Sequence, residues 1–247
     1  ETESSMPIFI GFNCESGVFS NQKLREAISY AINRDDIILG SVEGYGVPLQ
    51  CTIAPAAFGY PEDFQFNPYD PEKAKELLAE AGYPNGLEVT LKCNESTTYS
   101  KPAVIIQDQL RQIGITVNVE IMEKGAFLED IYNTGNFEMC VWAIISMIPD
   151  ADYTMYSRFH SQLMGGSNNF FRIAIPGMDE LLDASRVEGD SEVRADMFRQ
   201  ACELVREYVP VVPLYCGLNC VAADKNLEGV VANAANKYYV YDYRWVS

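Results

Sequence analysis

Two alternating apolar segments with a helix between them constrain the fold of this chain more than any other feature. Residues 87–93 and 117–121 place apolar side chains at every second position, a pattern typical of strands with one buried face. Between them, Ala103, Ile106 and Leu110 lie on one face of a predicted helix that ends at Gly114. The order strand, helix, strand predicts a β-α-β unit and hence an α/β fold.

The segment from Asp70 to Gly82 predicts a helix with both ends defined by sequence. Asp70 caps its start, Pro71 takes the first helical position and Gly82 ends it. Residues 42–69 contain four prolines and several glycines, so we expect an irregular packed loop there. Similar patterns predict helices at 24–32, 124–134, 177–187 and 191–208, and strands at 7–12, 137–145 and 211–223.

The stretch from Asp70 to Tyr83 also closely resembles a segment of the extracytoplasmic solute-binding proteins that serve ABC importers, in family 5, which handles di- and oligopeptides, nickel and some sugars. The resemblance extends in order and spacing from about residue 8 to about residue 216. Its other matching segments are 12–13, 17–19, 23–35, 109–117 and 149–152.

The resemblance covers only the later half of such proteins. It implies the C-terminal lobe of a type II periplasmic-binding-protein-like fold, a mixed sheet flanked by helices. Residues 1–218 would form this ligand-binding lobe, and residues 219–247 would be a return segment that packs on a first lobe. Two alternatives stay open for the aromatic side chains of that segment. Without the first lobe they are under-packed, or they pack on this lobe as part of an edge strand. These residues are Tyr238, Tyr239, Tyr241, Tyr243 and Trp245.

The net charge and the hydropathy of the chain limit the classes of partner that it can bind. The formal net charge of -17 argues against nucleic-acid or anionic-membrane binding, which need a basic face. No apolar run approaches the length of a membrane span, and residues 1–6 have neither a basic nor an apolar region. The resemblance implies an extracytoplasmic monomer, in the periplasm or as a cell-surface lipoprotein, that meets the membrane only through an anchor absent from this sequence.

The 7 cysteines show no CxxC pair, and their odd number cannot pair completely within the chain. Cys216 and Cys220 would lie on one face of the strand predicted at 211–223, at about 3.3 Å per residue too far apart for a disulfide. We expect most of the cysteines to be buried thiols.

In two-lobed binding proteins the solute lies between the lobes, on loops at one edge of each sheet. The candidate loops here are 94–99, 146–150 and 165–169. Stacking on an apolar or sugar face is expected from aromatic residues, and hydrogen bonds from polar ones. The candidate ligand-binding residues are Thr97, Tyr99, Trp142, Ser146, Met147, Asp150, Asn168 and Asn169.

Alternatives remain for several of these residues. Trp142 also fits a core position of a central strand, Met147 a loop residue buried under Ile148, and Asp150 a helix cap. The resemblance aligns Met147 with an aspartate that pairs with the ammonium group of free peptides in relatives. A thioether cannot balance that charge, so we expect a preference for solutes without a free amino terminus, such as modified peptides or saccharides.

The sequence offers little support for catalysis. His160 is the sole histidine and, in a polar stretch, is expected at the surface. Gly44 and Gly46 lack the third glycine of a dinucleotide loop, and neither a nucleophile elbow nor a P-loop occurs. The resemblance implies a non-enzymatic solute-binding component of an ABC transporter, which we expect to need no cofactor or metal and to deliver a peptide-like solute to permease subunits. The alternatives are an oligosaccharide or other non-peptide solute, or a receptor lobe without transport.

Overall fold

The computed structural model describes residues 1–144, 148–235 and 237–246. Its strands are β1 (Thr2–Glu3), β2 (Ile8–Phe12), β3 (Gly46–Pro48), β4 (Leu87–Asn94), β5 (Ile115–Met122), β6 (Met139–Ala143), β7 (Val211–Asn219), β8 (Leu227–Glu228) and β9 (Arg244–Trp245). Its α-helices are α1 (Gln22–Ala31), α2 (Arg34–Val42), α3 (Pro71–Glu80), α4 (Thr97–Gln112), α5 (Lys124–Leu128), α6 (Ala151–Phe159), α7 (Met178–Val187) and α8 (Ser191–Tyr208). A π-helix at Glu129–Thr134 continues α5, and 3-10 turns lie at Val18–Ser20, Ser161–Leu163 and Val240–Asp242.

A mixed 7-stranded sheet forms the centre of the molecule, in the order β1-β7-β2-β6-β4-β5, with β3 also paired to β7. β4 is parallel to β5 and β6, whereas β2 is antiparallel to both β6 and β7. The predicted β-α-β unit is confirmed as β4, α4 and β5. The strands β4, β5, β6 and β7 consequently all end at one edge of the sheet.

Helices cover both faces of the sheet. α4 packs on β4, β5 and β6, and α2 packs on α4 and β7. On the other face Phe171 contacts Phe9 of β2 at 5.7 Å and stacks on Phe159 of α6 at 5.6 Å between ring centroids. α6, α7 and α8 pack against one another. The expected α/β architecture, a mixed sheet flanked by helices, is confirmed.

The helix predicted from Asp70 is confirmed in detail. The Asp70 side chain accepts a hydrogen bond from the Lys73 N–H, and Pro71 begins the helix. Gly82 follows it with a φ of 98°, in the left-handed region that favours glycine. The predicted helices at 177–187 and 191–208 are α7 and α8.

Three boundaries differ from the predictions. Residues 42–69 contain a short strand, Gly46–Pro48, because the backbone there pairs with β7. The strand predicted at 211–223 ends at Asn219, so Cys220 lies beyond it and is exposed. A separate helix, α2, was not predicted; the extended backbone of Ile32 and Asn33 interrupts the helical run, and the Asn33 side chain caps α2.

The expectation of buried thiols is confirmed for most of the cysteines. They are all free, and those buried are Cys51, Cys93, Cys140, Cys202 and Cys216. Burial raises the pKa of the Cys93 thiol to about 11. Such thiols stay protonated and behave as small apolar groups.

Candidate functional site

The candidate site lies at the sheet edge where β4, β6 and β7 end, which we call the carboxyl edge. Asn94, Ala143 and Asn219 are the last residues of these strands. Ile8, the first residue of β2, pairs with both Ala143 and Tyr215 and therefore lies near the same edge. In sheets of this kind, loops at the carboxyl ends of strands are the usual ligand positions.

Two of the predicted residues, Tyr99 and Trp142, meet in one aromatic cluster near this edge. Their ring centroids are 4.7 Å apart, and Phe127 packs on Trp142 at 5.1 Å. The indole Nε1 donates a hydrogen bond to the Tyr132 hydroxyl at 2.8 Å. Tyr99 and Trp142 are each only 8% exposed. The core alternative thus describes Trp142 in this structure, and its contact with a solute stays a prediction.

Burial also controls the chemistry of these phenols. It raises the pKa of Tyr99 to about 12 and raises that of Tyr132 as well. Both hydroxyls therefore remain neutral at physiological pH. They can donate and accept hydrogen bonds but carry no charge toward a solute.

Thr97 is exposed and begins α4. The expected loop 94–99 is shorter than predicted, because Asn94 ends β4 and the Ser96 side chain caps the helix through the Thr98 N–H. The first N–H groups of a helix have no acceptor within it. The Ser96 hydroxyl and carbonyl already accept from the N–H groups of Thr98, Tyr99 and Ser100, so the Thr97 N–H is the backbone donor left without an acceptor among the described residues at this helix start.

The two asparagines of the third loop have different environments. Asn168 is exposed, and its carbonyl accepts a hydrogen bond from Arg158. Asn169 is fully buried, and its amide bonds to the backbone of His160 and Ile173. A solute could reach the Asn169 side chain only if these bonds broke, so its expected ligand contact conflicts with this packing.

Asp150 serves as a helix cap, the alternative foreseen for it. Its side chain accepts from the Asp152 N–H at the start of α6 and forms a two-pronged ion pair with Arg194 at 2.8 Å for both contacts. The hydrogen bond from Arg194 lowers the pKa of this carboxyl. Its charge is already balanced within the chain. Binding of a solute by Asp150 would therefore compete with Arg194.

Ser146 and Met147, the remaining predicted residues, lie outside the described residues. Their contact with a solute stays a prediction. The flanking residue Ile148 is exposed.

The expectation of a surface position for His160 is wrong. The side chain is 1% exposed and packs against Tyr156 at a tilt of 32°, with ring centroids 4.4 Å apart. Its Nδ1 accepts a hydrogen bond from the Gln162 N–H. The polar sequence around it was misleading, because Arg158 bonds to the carbonyls of Ser167 and Asn168, and Ser161 bonds to Asp179.

Several residues of this region were not predicted as site residues. Phe127 and Tyr132 belong to a segment that the sequence assigned only to a short helix. Ser41 and Tyr215 line a cavity at the carboxyl edge together with Thr97. No local pattern distinguishes these four, because their proximity depends on how α2, α5 and β7 meet in the folded chain.

Metal binding and membrane crossing find no support in the part of the chain that is described. These residues contain no group of three or more histidine, cysteine or acidic side chains placed to hold a metal ion. No helix among them is long and apolar enough to cross a bilayer.

Residues 1–166 match the family described as Bacterial extracellular solute-binding proteins, family 5 Middle. The chain belongs to this family. The relationship suggested by the 70–83 segment is therefore confirmed, as is the reading of the fold as a lobe of a type II periplasmic binding protein.

The similarity to individual proteins supports this family assignment. The glutathione-binding protein GsiB of Salmonella paratyphi A is 31% identical over 234 residues, which cover 92% of this chain and 45% of that protein. The periplasmic binding protein DppA of Helicobacter pylori, solved with the peptide STSA, is 30% identical with a TM-score of 0.81 over 92% of this chain and 45% of that one. HbpA2 of Haemophilus parasuis is 27% identical with a TM-score of 0.89 over 99% of this chain and 49% of that one. This family 5 chain thus spans about half the length of the relatives it matches.

Proposed function

We propose that this chain forms the C-terminal ligand-binding lobe of the solute-binding component of an ABC importer. The whole protein would capture an extracytoplasmic, peptide-like solute between two lobes and deliver it to the permease subunits. The proposal rests mainly on family membership together with the carboxyl edge, where the start of α4 and the end of β7 border one cavity. GsiB and DppA, whose names and structures refer to glutathione and to a peptide, support a peptide-like solute.

The aromatic cluster bears on the class of solute. A saccharide would be expected to stack on an open aromatic face. The Trp142 ring is instead packed between Tyr99 and Phe127, and its N–H is bonded to Tyr132. This arrangement favours a peptide-like solute held by hydrogen bonds over a saccharide held by Trp142.

The proposal divides the chain into a lobe at residues 1–218 and a return segment at 219–247. Support comes from the small β8-β9 sheet, which is separate from the main sheet. Tyr239, Tyr241 and Trp245 are more than half exposed in that segment. Packing on a first lobe would bury these aromatic side chains. The proposed protein works as a monomer and without catalysis or cofactor.

The test compares the whole protein with the 247-residue chain in calorimetric titrations. The probes are reduced glutathione, the peptide Ser-Thr-Ser-Ala, a blocked form of that peptide and maltotriose. We expect saturable binding of at least one peptide probe by the whole protein, without product formation. The isolated chain should bind it at least about a hundredfold more weakly, because one lobe cannot exclude water from the solute. Tight binding of maltotriose alone, or turnover of any probe, would refute the proposed function.

A further inference from the structure

Residues 51–66 form an irregular segment that lies against helix α8, and this fully described stretch contains no helix or strand. We call it the cover segment. Its contacts with the helix run in the same order along both: Phe58 with Arg194, Gly59 with Phe198, Asp63 with Arg199 and Gln65 with Arg206. Cys202 lies one helical turn after Phe198 and one before Arg206, so it is on the side of α8 that the segment covers.

Two buried thiols face each other where the cover segment begins. Cys51 and Cys202 are 3% and 2% exposed, and both are free. The Cys51 thiol donates a hydrogen bond to the Ile53 carbonyl at 3.7 Å, and the Cys202 thiol donates one to the Cys51 sulfur. This second hydrogen bond, together with burial, holds the pKa of the Cys202 thiol well above its ordinary value. The two sulfur atoms are therefore neighbours, although they come from distant parts of the sequence.

A third buried thiol lies nearby but is not part of the pair. Burial raises the pKa of the Cys216 thiol, and Glu3 and Cys51 raise it further. Cys216 belongs to β7, where it pairs with Val47 of β3. Among the described residues, no hydrogen bond joins Cys216 to Cys51. The hydrogen bond therefore selects Cys202 as the partner of Cys51.

The environment of the family favours oxidation of such a pair. Two sulfur atoms in hydrogen-bond contact need only a short movement to reach the length of a disulfide bond. The family is described as extracellular, and disulfides form and persist outside the cytoplasm. Adjacent thiols in that environment are expected to pair.

We propose that Cys51 and Cys202 form a reversible disulfide that fastens the cover segment to α8 under oxidising conditions. The oxidant is a low-molecular-weight disulfide. One protein thiolate attacks a sulfur of this reagent and expels the other half as a thiolate, which leaves a mixed disulfide. The second protein thiol loses its proton, attacks the first protein sulfur and expels the remaining half as a thiolate. The protein loses two electrons and two protons, and the reagent becomes two thiols.

The disulfide also restrains a loop that was predicted to border the solute. Phe58 of the cover segment donates its N–H to the Pro149 carbonyl at 3.0 Å, and its own carbonyl accepts from the Ala151 N–H at 2.9 Å. Pro149 belongs to the predicted loop at 146–150. Fastening the start of the cover segment to α8 therefore limits the opening of these two hydrogen bonds. The disulfide itself does not depend on the identity of the solute.

Burial controls how fast the bond forms. Exchange requires a thiolate that the reagent can reach. The folded chain covers both thiols, and the raised pKa of Cys202 keeps that thiol protonated. Exchange therefore takes place during folding, or after the cover segment opens locally. Low concentrations of urea should accelerate it in the native chain.

The experiment uses the 247-residue chain with Cys220→Ser, which removes the exposed thiol. The chain is refolded from urea with hydroxyethyl disulfide and mercaptoethanol, blocked with N-ethylmaleimide and digested without reduction. We expect mass spectrometry to identify a peptide that joins Cys51 to Cys202, and mercaptoethanol alone to remove it. The melting temperature of the oxidised chain should be about 5–15 °C higher than that of the reduced chain. Hydrogen exchange at Phe58 and Ala151 should become slower.

Cys51→Ala and Cys202→Ala should each abolish the joined peptide and the rise in melting temperature. Cys216→Ala is the matched control, because it removes a nearby buried thiol and should leave both results unchanged. If either of the first two variants fails to fold, the joined peptide and its reversal in the Cys220→Ser chain still decide the question.

The proposal is refuted if no joined peptide forms at any ratio of the two reagents, or if Cys51 pairs with Cys216 instead. An oxidised chain that melts at the same temperature as the reduced chain, or at a lower one, would show that the bond does not fasten the segment, and this also refutes the proposal. Solute binding by the whole protein is measured separately, so none of these results bears on the proposed transport function.

Discussion

Trp142 of β6 donates its indole N–H to the Tyr132 hydroxyl at 2.8 Å, which joins the end of the central strand to the π-helix. Tyr132 in turn contacts Phe170 edge to face, with ring centroids 5.4 Å apart. Phe170 lies beside the loop at 165–169. One hydrogen bond and one ring contact therefore link β6, which precedes the predicted loop at 146–150, to Phe170, which follows the predicted loop at 165–169.

Tyr132→Phe should lower the free energy of unfolding by about 1–3 kcal/mol, because it leaves the buried indole N–H of Trp142 without an acceptor. Urea denaturation measures this change. Tyr30→Phe is the control, since the Tyr30 side chain is partly buried but makes no hydrogen bond with the described residues. Equal effects of the two substitutions would show that the Trp142 bond contributes nothing to stability.

Asp130→Asn should destabilise the chain by about 3–5 kcal/mol, because it leaves a buried lysine charge without its main partner. Lys92 of β4 is 9% exposed at its side chain and contacts Asp130 at 2.7 Å, while Glu120 is 3.7 Å away and half exposed. The Asn136 carbonyl also accepts from Lys92 and would remain. Chemical denaturation gives the difference in free energy.

The control for Asp130 is Glu80→Gln, which breaks the exposed Lys23–Glu80 pair at 2.7 Å. Exposed pairs contribute little because water screens them. We expect no measurable loss of stability for this variant. If Asp130→Asn were equally harmless, Glu120 or the Asn136 carbonyl would be sufficient to stabilise the buried charge of Lys92.

The β-α-β unit and the helix at Asp70 were predictable because local patterns determine them. Apolar and polar residues alternate in β4 and β5, which indicates one buried face in each strand. Asp70, Pro71 and Gly82 each suit one particular position at an end of the helix. The helix predicted at 24–32 ends close to the end of α1, but α2, which begins after the extended backbone of Ile32 and Asn33, was not predicted.

The candidate site was less predictable, for a physical reason. Tyr99 and Trp142 were selected as aromatic residues near loop ends, and the fold does bring them together. Asn169 was selected by the same reasoning, yet its amide satisfies backbone groups inside the chain. Sequence position alone does not tell whether a polar side chain faces the solvent or replaces missing backbone partners.

The return segment should exchange its amide hydrogens much faster than α8 in the isolated chain. Residues 226–234 and 239–246 contain only the two-residue strands β8 and β9 and one 3-10 turn, whereas Phe198, Ala201 and Val205 bury one face of α8. Hydrogen exchange followed by mass spectrometry measures both regions. In the whole protein the segment should gain protection. Protection equal to that of α8 in the isolated chain would contradict packing on a first lobe.

Met147→Asp in the whole protein should raise the affinity for peptides with a free amino terminus. The prediction rests on the resemblance that aligns Met147 with the aspartate of peptide-binding relatives. A new charged hydrogen bond to the ammonium group should contribute about 1.5–3 kcal/mol if well placed. Calorimetry with Ser-Thr-Ser-Ala and its blocked form separates the ammonium from the rest of the peptide.

Leu39→Asp is the matched control, because Leu39 is 67% exposed and the substitution adds the same charge away from the three predicted loops. It should leave both affinities unchanged. Tight binding of the free peptide by the wild type, unchanged in Met147→Asp, would show that the ammonium group is held by other residues.

The Asp150–Arg194 ion pair should make the stability of the lobe depend on pH in acid. The hydrogen bond from Arg194 lowers the pKa of Asp150 below its ordinary value of 3.8. The charged carboxylate therefore stabilises the folded state above that value, and this contribution is lost as the pH falls through the lower pKa of the folded chain.

Asp150→Asn should thus be less stable than the wild type at pH 7 to 5, with a difference that shrinks below about pH 4. Thermal unfolding across this range measures it. Arg194→Gln should remove most of the pH dependence, since its guanidinium causes the shift, and a wild-type advantage over Asp150→Asn that persisted undiminished at about pH 2 would contradict this assignment.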